Sequence, residues 1–181
     1  MADDEVTLRP IEETDLSFLQ QMISDPENAG SFMWQGFRDP REWRSRWQAG
    51  GLIGDSGGVV LVTAGGEQAG CISWDRHHWF GRDCWSLGIE LARARRGRGI
   101  GTRAHRLLVD YLFAQTLVHR IEAYTETDNI AERRALEKSG FTLEGTLRDA
   151  GFRDGQWRDG VLYSRCRRSD SPDEPPTAPL A

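Results

Sequence analysis

The sequence lacks the features that would place it in a membrane or in an oxidising compartment. No apolar run approaches the roughly 20 residues that span a bilayer, and the start MADDEVTLRP carries no basic and then apolar signal segment. The three cysteines, Cys71, Cys84 and Cys166, are odd in number, widely spaced and without a CxxC pair. We therefore expect a cytoplasmic protein with reduced cysteines, no disulfide framework and no metal site.

The sequence is also poor in lysine and has no excess of positive charge. Only one of the 23 basic residues is a lysine, Lys138, and the formal net charge is −5. This balance disfavours general nucleic-acid binding, because affinity for a phosphate backbone comes from an excess of cations. The stretch RARRGRGIGT, residues 93–102, contains no lysine. It therefore cannot be a Walker phosphate-binding loop, which needs G-x-x-x-x-G-K-[ST].

What the sequence contains is sufficient for one folded domain. Its 181 residues are 38% hydrophobic and 28% charged, which is typical of a globular chain with a single core. The final segment SDSPDEPPTAPLA is rich in proline and acid and poor in residues that pack. We therefore predict one domain over residues 1–168 and a disordered tail over residues 169–181.

The spacing of apolar residues predicts a mixed α/β fold in the order βααβββαβαββ. Glycine-containing turns between the second, third and fourth strands predict an antiparallel meander, and Asp154 with Gly155 predicts a hairpin between the last two. In chain order the segments are EVTLRPI, TDLSFLQQMI, DPREWRSRWQAG, GGVVLVTA, QAGCISWD, CWSLGIELA, the stretch after Gly101, HRIEAYT, NIAERRALEKSG, FTLEGTLRDAGF and QWRDGVLYSRC.

The arginine- and glycine-rich stretch joins the fourth predicted strand to the next helix. Arg96, Gly99 and Gly101 fit the pattern R-x-x-G-x-G. Glycines leave amide N–H groups unobstructed, and several such donors at the positive end of a helix dipole bind a pyrophosphate. A dinucleotide-binding turn instead spaces its glycines as G-x-G-x-x-G within a parallel βαβ unit. The pattern favours an anion site. One alternative is a tight strand-to-helix connection that binds no ligand. The other is local RNA or DNA binding through residues 93–103.

This turn, followed by TDNIAERRALEKSGF, resembles the GNAT superfamily of acyl-CoA-dependent N-acetyltransferases. In that family an asparagine opens a helix that ends in a lysine-x-Gly-Phe signature, and Asn129, Lys138, Gly140 and Phe141 stand in those places. The continuation FTLEGTLRDAGFRDGQWRDGVLYS is similar to the branch that acetylates the N-termini of ribosomal proteins, and to related small-molecule acetyltransferases. The resemblance covers most of residues 6–168.

The resemblance implies a central, mostly antiparallel sheet flanked by helices and splayed between its fourth and fifth strands. The acyl-pantetheine arm of the cosubstrate, acetyl-CoA, would lie between those strands. It further implies that the main chain of Leu91 and the side chain of Asn129 contact this arm or its thioester. The pyrophosphate would be held, mainly through backbone amides, by Arg96, Gly97, Arg98, Gly99, Ile100, Gly101 and Thr102.

Acetyl transfer to an amine needs a group that takes the amine's proton, because only a neutral amine attacks a thioester. Glu90 is the leading candidate, since it interrupts an apolar strand and alternation points it away from the face of its neighbours. A surface charge paired with a nearby arginine is the non-catalytic alternative. Asp83 and His77, in the adjacent hairpin, are further candidates. Many family members carry a thiolate-protonating tyrosine seven residues after the asparagine, and here that place is Leu136.

The acceptor implied by the resemblance is a primary amine. A protein or peptide N-terminus is the first choice, because the C-terminal third resembles that branch. A small amine such as an amino acid or an aminoglycoside antibiotic is the alternative, and so is a non-catalytic acyl-CoA-binding module. Phe32, Trp34 and Phe37 fall in NAGSFMWQGFRD, a segment too irregular for a core element, which the resemblance would make an acceptor-pocket loop. Whether the protein is a homodimer is left open.

Overall fold

The structure is a computed structural model that describes residues 5–34, 36–50, 52–79 and 82–167, and the predicted tail over residues 169–181 lies outside them. The strands are β1 (Val6–Pro10), β2 (Ile53–Gly54), β3 (Gly57–Ala64), β4 (Glu67–Trp79), β5 (Arg82–Leu91), β6 (Arg120–Glu126), β7 (Thr142–Arg153) and β8 (Gln156–Cys166). The helices are α1 (Leu16–Ser24), α2 (Pro26–Met33), α3 (Glu42–Gln48), α4 (Ile100–Gln115) and α5 (Ile130–Lys138).

The strands form one eight-stranded sheet. Seven of them follow the order β1-β3-β4-β5-β6-β8-β7, and β2 pairs with β3. The pairing of β5 with β6 is parallel, and the other described pairs are antiparallel. The predicted element order is confirmed, with two additions, the two-residue strand β2 and the helix α2. The mixed α/β fold with a mostly antiparallel sheet is therefore confirmed.

Helix α2 corrects one sequence prediction. The carboxylate of Asp25 accepts a hydrogen bond from the backbone N–H of Glu27, and Pro26 is the first helical residue, so the helix begins with ordinary signals. Gly30 then interrupts the helical backbone with a φ of 67°. This break disrupts the apolar spacing. The prediction that NAGSFMWQGFRD, residues 28–39, is irregular is therefore wrong for residues 28–33.

Apolar side chains pack on both faces of the sheet. On one face α4 and α5 pack through residues such as Leu108 and Leu136, and on the other α1 and α3 pack through residues such as Leu19 and Trp43. All three cysteines are free, as predicted. Among the described helices, none is both long and apolar enough to cross a bilayer.

A buried carboxylate joins β1, the start of α1 and β4. Asp15 accepts two hydrogen bonds from the guanidinium of Arg9, at 2.7 and 2.8 Å, and one from Gln68 at 2.6 Å. The backbone N–H of Glu12 donates a further bond at 2.9 Å. The contacts with Arg9 above all, and then those with Glu12 and Gln68, lower the pKa of Asp15 to about 2. The carboxylate is therefore ionised throughout the neutral range.

Candidate functional site

Strands β5 and β6 pair over only three residues each and then separate. Residues 85–87 pair with residues 121–123, and residues 88–91 have no partner strand on that side in the described part of the chain. On its other side β5 stays paired with β4 as far as Leu91, which lies opposite Gly70. The predicted splaying between the fourth and fifth predicted strands, here β5 and β6, is confirmed. We call this opening the strand gap.

The main chain of β5 faces the strand gap at alternate residues. The N–H of Ala92 donates to the carbonyl of Ala69 at 2.9 Å, which makes these two residues a hydrogen-bonded pair. Because such pairs alternate along an antiparallel ladder, Leu91 and Ile89 turn their N–H and C=O groups away from β4. A further extended segment can pair with these groups.

The glycine-rich turn, residues 96–101, leads from the strand gap into α4. Gly97 and Gly99 have φ values of 73° and 75°, which glycine adopts without the strain of a side chain. Gly99 is the N-cap of α4, so the N–H groups of residues 100–102 belong to the first turn and have no carbonyl partner within the helix. Ile100 is buried and anchors the turn in the core. Main-chain donors are thus collected at the positive end of a helix.

Two arginines of this region fasten it to α2. The guanidinium of Arg96 donates to the carbonyl oxygens of Asn28 at 2.7 Å, Ala29 at 2.9 Å and Leu91 at 2.9 Å. The backbone N–H of Arg93 donates to the side chain of Asn28 at 3.0 Å. The guanidinium of Arg96 is therefore engaged with α2 and with the end of β5. The alternative of nucleic-acid binding through this stretch gains no support from the same contacts.

A cavity of about 760 Å³, which we call the central cavity, opens beside the strand gap. Its walls come from α2, α3, β4, β5, β6, the start of α5 and the β7–β8 hairpin. Both signs of charge are present. The ionisable side chains that line it include Arg38, Glu42, Arg46, Asp75, Glu90, Glu126, Glu132 and Arg158.

Glu90 lies on the wall of the central cavity. It is opposite Cys71 in the β4–β5 register, and Cys71 belongs to the core on the side of α1 and α3, whereas Ile89 and Leu91 pack against the other core. Burial raises the pKa of Glu90, and the positive charge of Arg38 offsets part of the rise. A half-buried carboxylate that faces a cavity and has a raised pKa suits a general base.

Asp83 and His77 lie near the other end of the same strands. Asp83 precedes Glu90 by seven residues, about 23 Å along an extended strand. Its carboxylate contacts Nδ1 of His78 at 3.1 Å, and both histidines are exposed. Neither Asp83 nor His77 lines the central cavity. The structure therefore does not bring these two candidates to Glu90.

Asn129 caps α5 and borders the central cavity. Its Oδ1 accepts the backbone N–H of Glu132 at 3.3 Å, and its Nδ2 donates to Oγ1 of Thr125 at 3.0 Å. The predicted cap is confirmed. A side-chain amide has two N–H groups and two lone pairs, so these contacts leave capacity for a ligand.

The structure separates Phe32 from Trp34 and Phe37, the other two aromatic residues assigned to an acceptor pocket. Phe32 lines the central cavity, and the guanidinium carbon of Arg153 lies 5.1 Å from the centre of its ring. Trp34 lines a smaller cavity beside Arg96. Phe37 is fully exposed, with its ring 6.0 Å from that of Trp34 in an edge-to-face contact. Of the three, the central cavity includes Phe32.

The sequence pattern does not indicate two polar contacts on the cavity wall. Arg153 donates two hydrogen bonds to Glu126, at 2.8 and 2.7 Å, and Nε2 of His105 lies 2.8 Å from Oε1 of Glu132. In each pair 27 residues separate the partners, so no local spacing signals the contact. Within the described ranges, no group of three or more His, Cys, Asp or Glu side chains is arranged to hold a metal ion.

Comparison with known families decides the class of the protein. The acetyltransferase (GNAT) domain pattern matches residues 5–142. The chain belongs to the GNAT family. Its members are acetyl-CoA-dependent N-acetyltransferases, so the resemblance, the enzyme class and the cosubstrate inferred from the sequence are confirmed.

Individual relatives of this GNAT enzyme act on different acceptors. It is 44% identical over 73 residues to the probable N-acetyltransferase YjcK of Bacillus subtilis, a match that spans 40% of each chain. It is 27% identical over 159 residues to the spermidine N(1)-acetyltransferase of Escherichia coli, over 86% of this chain and 83% of that one. The structure of a ribosomal-protein-alanine N-acetyltransferase from Brucella melitensis has a TM-score of 0.74 and 25% identity, over 89% of this chain and 99% of that one. The acceptor class is unresolved by these matches.

The residues at the strand gap fit coenzyme A. A pyrophosphate matches the main-chain donors of the glycine-rich turn, and an extended arm matches the exposed edge of β5. At Gly101 an added β-carbon would lie 3.7 Å from Cδ1 of Leu91 and 4.0 Å from Cβ of Ala135. A larger side chain there would crowd the side chains of Leu91 and Ala135.

Proposed function

We propose that this enzyme acetylates the N-terminal amine of a protein or peptide and uses Glu90 as its general base. The observation that carries the proposal is the position of Glu90. Its half-buried carboxylate faces the central cavity, and the neighbouring residues Ile89 and Leu91 present their main chain to the strand gap. A base thus lies between the space for an acceptor and the edge that fits an acyl donor.

Each part of the site has a separate task in this reaction. Acetyl-CoA supplies the acetyl thioester. The glycine-rich turn binds the pyrophosphate, and the main-chain N–H of Leu91 orients the pantetheine arm or its thioester oxygen. Glu90 takes a proton from the attacking amine, directly or through one water molecule. Its raised pKa makes the carboxylate a stronger base than an exposed glutamate.

The guanidiniums on the cavity wall suit a peptide acceptor. Those of Arg38, Arg46 and Arg158 line the same space as the carboxylates. A peptide offers carbonyl oxygens that these cations can bind. A volume of about 760 Å³ also exceeds what the amine alone occupies, so it accommodates the first residues of an extended chain.

A small amine is the second candidate function. It is supported by the likeness to a spermidine N(1)-acetyltransferase over most of both chains, and by the carboxylates that line the central cavity.

An acceptor screen tests the proposed function. Purified enzyme is given acetyl-CoA with peptides of varied N-terminal sequence, the same peptides with blocked N-termini, spermidine and single amino acids, and release of free thiol is recorded. We expect turnover with free N-termini and none with blocked ones, and mass spectrometry should place one acetyl group on the α-amine. Turnover with spermidine and none with any peptide would move the assignment to the second candidate.

Replacement of Glu90 tests its role as the base. Glu90→Gln should keep coenzyme A binding and lower kcat/KM roughly 10²–10⁴-fold at neutral pH, the usual range for loss of acid–base help. Because burial raises the pKa of Glu90, the wild-type rate should fall on acidification at a pH above the usual range of a glutamate. Higher pH should partly restore the variant, because it supplies neutral amine.

Asp83→Asn is the matched comparison for this experiment, because it removes an exposed carboxylate from the same strand far from the central cavity. Wild-type turnover by Glu90→Gln across the pH profile, together with a loss in Asp83→Asn, would reassign the base to Asp83.

A further inference from the structure

A fully buried histidine contacts the wall of the central cavity through a glutamate. His105 lies in the second turn of α4 with no exposed surface, and its Nε2 is 2.8 Å from Oε1 of Glu132. Glu132 lies in the first turn of α5, keeps 21% of its side chain exposed and lines the cavity. A hydrogen-bonded path therefore leads from the core to the cavity wall.

The other surroundings of His105 are apolar. Its ring meets Phe141 edge to face with centroids 6.2 Å apart, and its buried Nδ1 has no hydrogen-bond partner among the described residues. Glu132 is the charged group that the described contacts bring against the ring. A buried histidine whose ring has one polar partner shares the hydrogen of that contact with it. Such a pair holds one transferable proton between Nε2 and Oε1.

Acetyl transfer releases a thiolate in the strand gap, and the start of α5 lines the central cavity beside that gap. A departing thiolate has a reference pKa of about 8.5, so it takes up a proton at neutral pH. The hydroxyl of Tyr124 donates to Glu122 at 2.6 Å, and burial together with this contact raises the pKa of the phenol. Glu126 is held by Arg153, whose hydrogen bonds lower the pKa of that carboxyl. Both groups are therefore poor proton donors.

Glu132 remains as the donor on this wall. Leu136, four residues later on the same face of α5, is fully buried, does not line the cavity and carries no proton to give. Glu132 reaches the cavity one helical turn closer to the start of the helix. A comparison with other family members at the position of Leu136 alone therefore misses Glu132.

We propose that Glu132, which His105 orients and supplies with a proton, protonates the departing thiolate of coenzyme A. The proposal rests on the acetyl transfer proposed above. As the acceptor nitrogen bonds to the carbonyl carbon, the carbon–sulfur bond breaks, its electron pair stays on sulfur, and sulfur takes the shared proton. Glu90 holds the amine proton. Before the next turnover Glu90 releases its proton to solvent and the exposed edge of Glu132 takes one up, so protons and charge balance.

The leaving group of the donor provides the decisive kinetic test. Glu132→Gln preserves the α5 cap, because Asn129 accepts from the backbone of residue 132. With acetyl-CoA this variant should lose about 10²-fold or more in kcat while KM for acetyl-CoA changes less than about threefold. With an acetyl thioester of an acidic aryl thiol the loss should vanish, because that thiolate leaves without a proton. His105→Gln should show the same dependence on the leaving group to a smaller extent.

A second readout needs neither an acceptor nor turnover. The thiol of bound coenzyme A is titrated through the ultraviolet absorbance of its thiolate, in the wild type and in Glu132→Gln. A carboxyl group that donates its proton to the sulfur stabilises the thiolate more than the amide of glutamine does. The midpoint for bound thiol should therefore rise by about one pH unit in the variant. Tyr124→Phe, which removes the competing donor, should leave the midpoint unchanged.

The outcomes separate this proposal from the proposed function. An equal loss with both thioesters, or equal thiol midpoints in wild type and Glu132→Gln, would overturn the role of Glu132. A loss that depends on the leaving group in Tyr124→Phe and not in Glu132→Gln would transfer the role to Tyr124. If the wild type acetylates no amine, the proposed function fails, and the thiol titration still decides whether Glu132 faces the sulfur.

Discussion

Gly101 is the second residue of α4, and side chains of β5 and α5 lie next to the place where its own side chain would be. Gly101→Val places methyl groups toward Leu91 and Ala135, which an added β-carbon already approaches at 3.7 and 4.0 Å. We expect affinity for coenzyme A to fall at least tenfold while the folded protein persists. Isothermal titration calorimetry measures the affinity, and thermal unfolding monitors the fold.

Gly145→Val is the matched control for this substitution. Gly145 lies in β7, and a β-carbon there would meet no atom within 4 Å. The control should therefore bind coenzyme A like the wild type. A folded Gly101→Val protein with unchanged affinity would contradict the assignment of the glycine-rich turn to the cosubstrate.

Residues that act through local patterns could be predicted from the sequence. The cap at Asn129 and the orientation of Glu90 depend on spacing along one element, and the structure has both as expected. The partners of Arg153 and His105 could not be predicted, because each lies 27 residues away on another element. Asp83 was a further candidate beside Glu90, since a strand pattern does not say which end reaches a cavity.

The β7–β8 hairpin and α2 meet above the central cavity through one side chain. Arg153, at the end of β7, binds Glu126 of β6 and lies over the ring of Phe32 in α2. Arg153→Met should raise KM for the acceptor about tenfold with a smaller change in kcat, because it frees the hairpin and α2 to separate. Steady-state kinetics with a peptide acceptor measures both constants.

Two comparisons sharpen the interpretation of Arg153. Arg148→Met removes an exposed arginine from the same strand and should have no effect on KM. A double-mutant cycle with Glu126→Gln should give a coupling energy of about 1–2 kcal/mol for acceptor binding. Additive effects in the cycle would show that the ion pair does not position the hairpin.

At the level of elements, the meander, α4, α5 and the final hairpin could be predicted because their apolar spacing is regular. Helix α2 could not, because Gly30 breaks the spacing within it, although Asp25 and Pro26 mark its start. Arg96 donates hydrogen bonds to carbonyl oxygens of α2, and the local sequence does not predict these contacts. The helix is therefore positioned by tertiary contacts as well as by its own periodicity.

For the molecule as a whole, Asp15 makes the free energy of unfolding depend on pH in the acidic range. Its pKa is about 2 in the folded protein and 3.8 as a reference, so it stabilises the fold fully above about pH 4. The contribution, about 2 kcal/mol, should be lost as the pH falls from about 4 to about 2. Urea unfolding across this range should show a steeper fall for the wild type than for Asp15→Asn.

Asp55→Asn, which changes an exposed carboxylate, is the control and should follow the wild type. Parallel curves for the wild type and Asp15→Asn would show that the network around Asp15 adds no stability at neutral pH. The single domain over residues 1–168 and the cytoplasmic location stay predictions, and the homodimer stays an open alternative.

The early separation of β5 and β6 should be visible in the exchange of individual amide protons with deuterium. The N–H of Leu87 faces β6 within the paired residues and should be protected with or without ligand. The N–H groups of Ile89 and Leu91 face the strand gap and should exchange quickly in the free enzyme. When the arm of coenzyme A fills the gap, we expect these two amides to slow while Leu87 does not. The exchange rates of these three amides would then show, without any acetyl transfer, which residues of β5 pair with the bound cosubstrate.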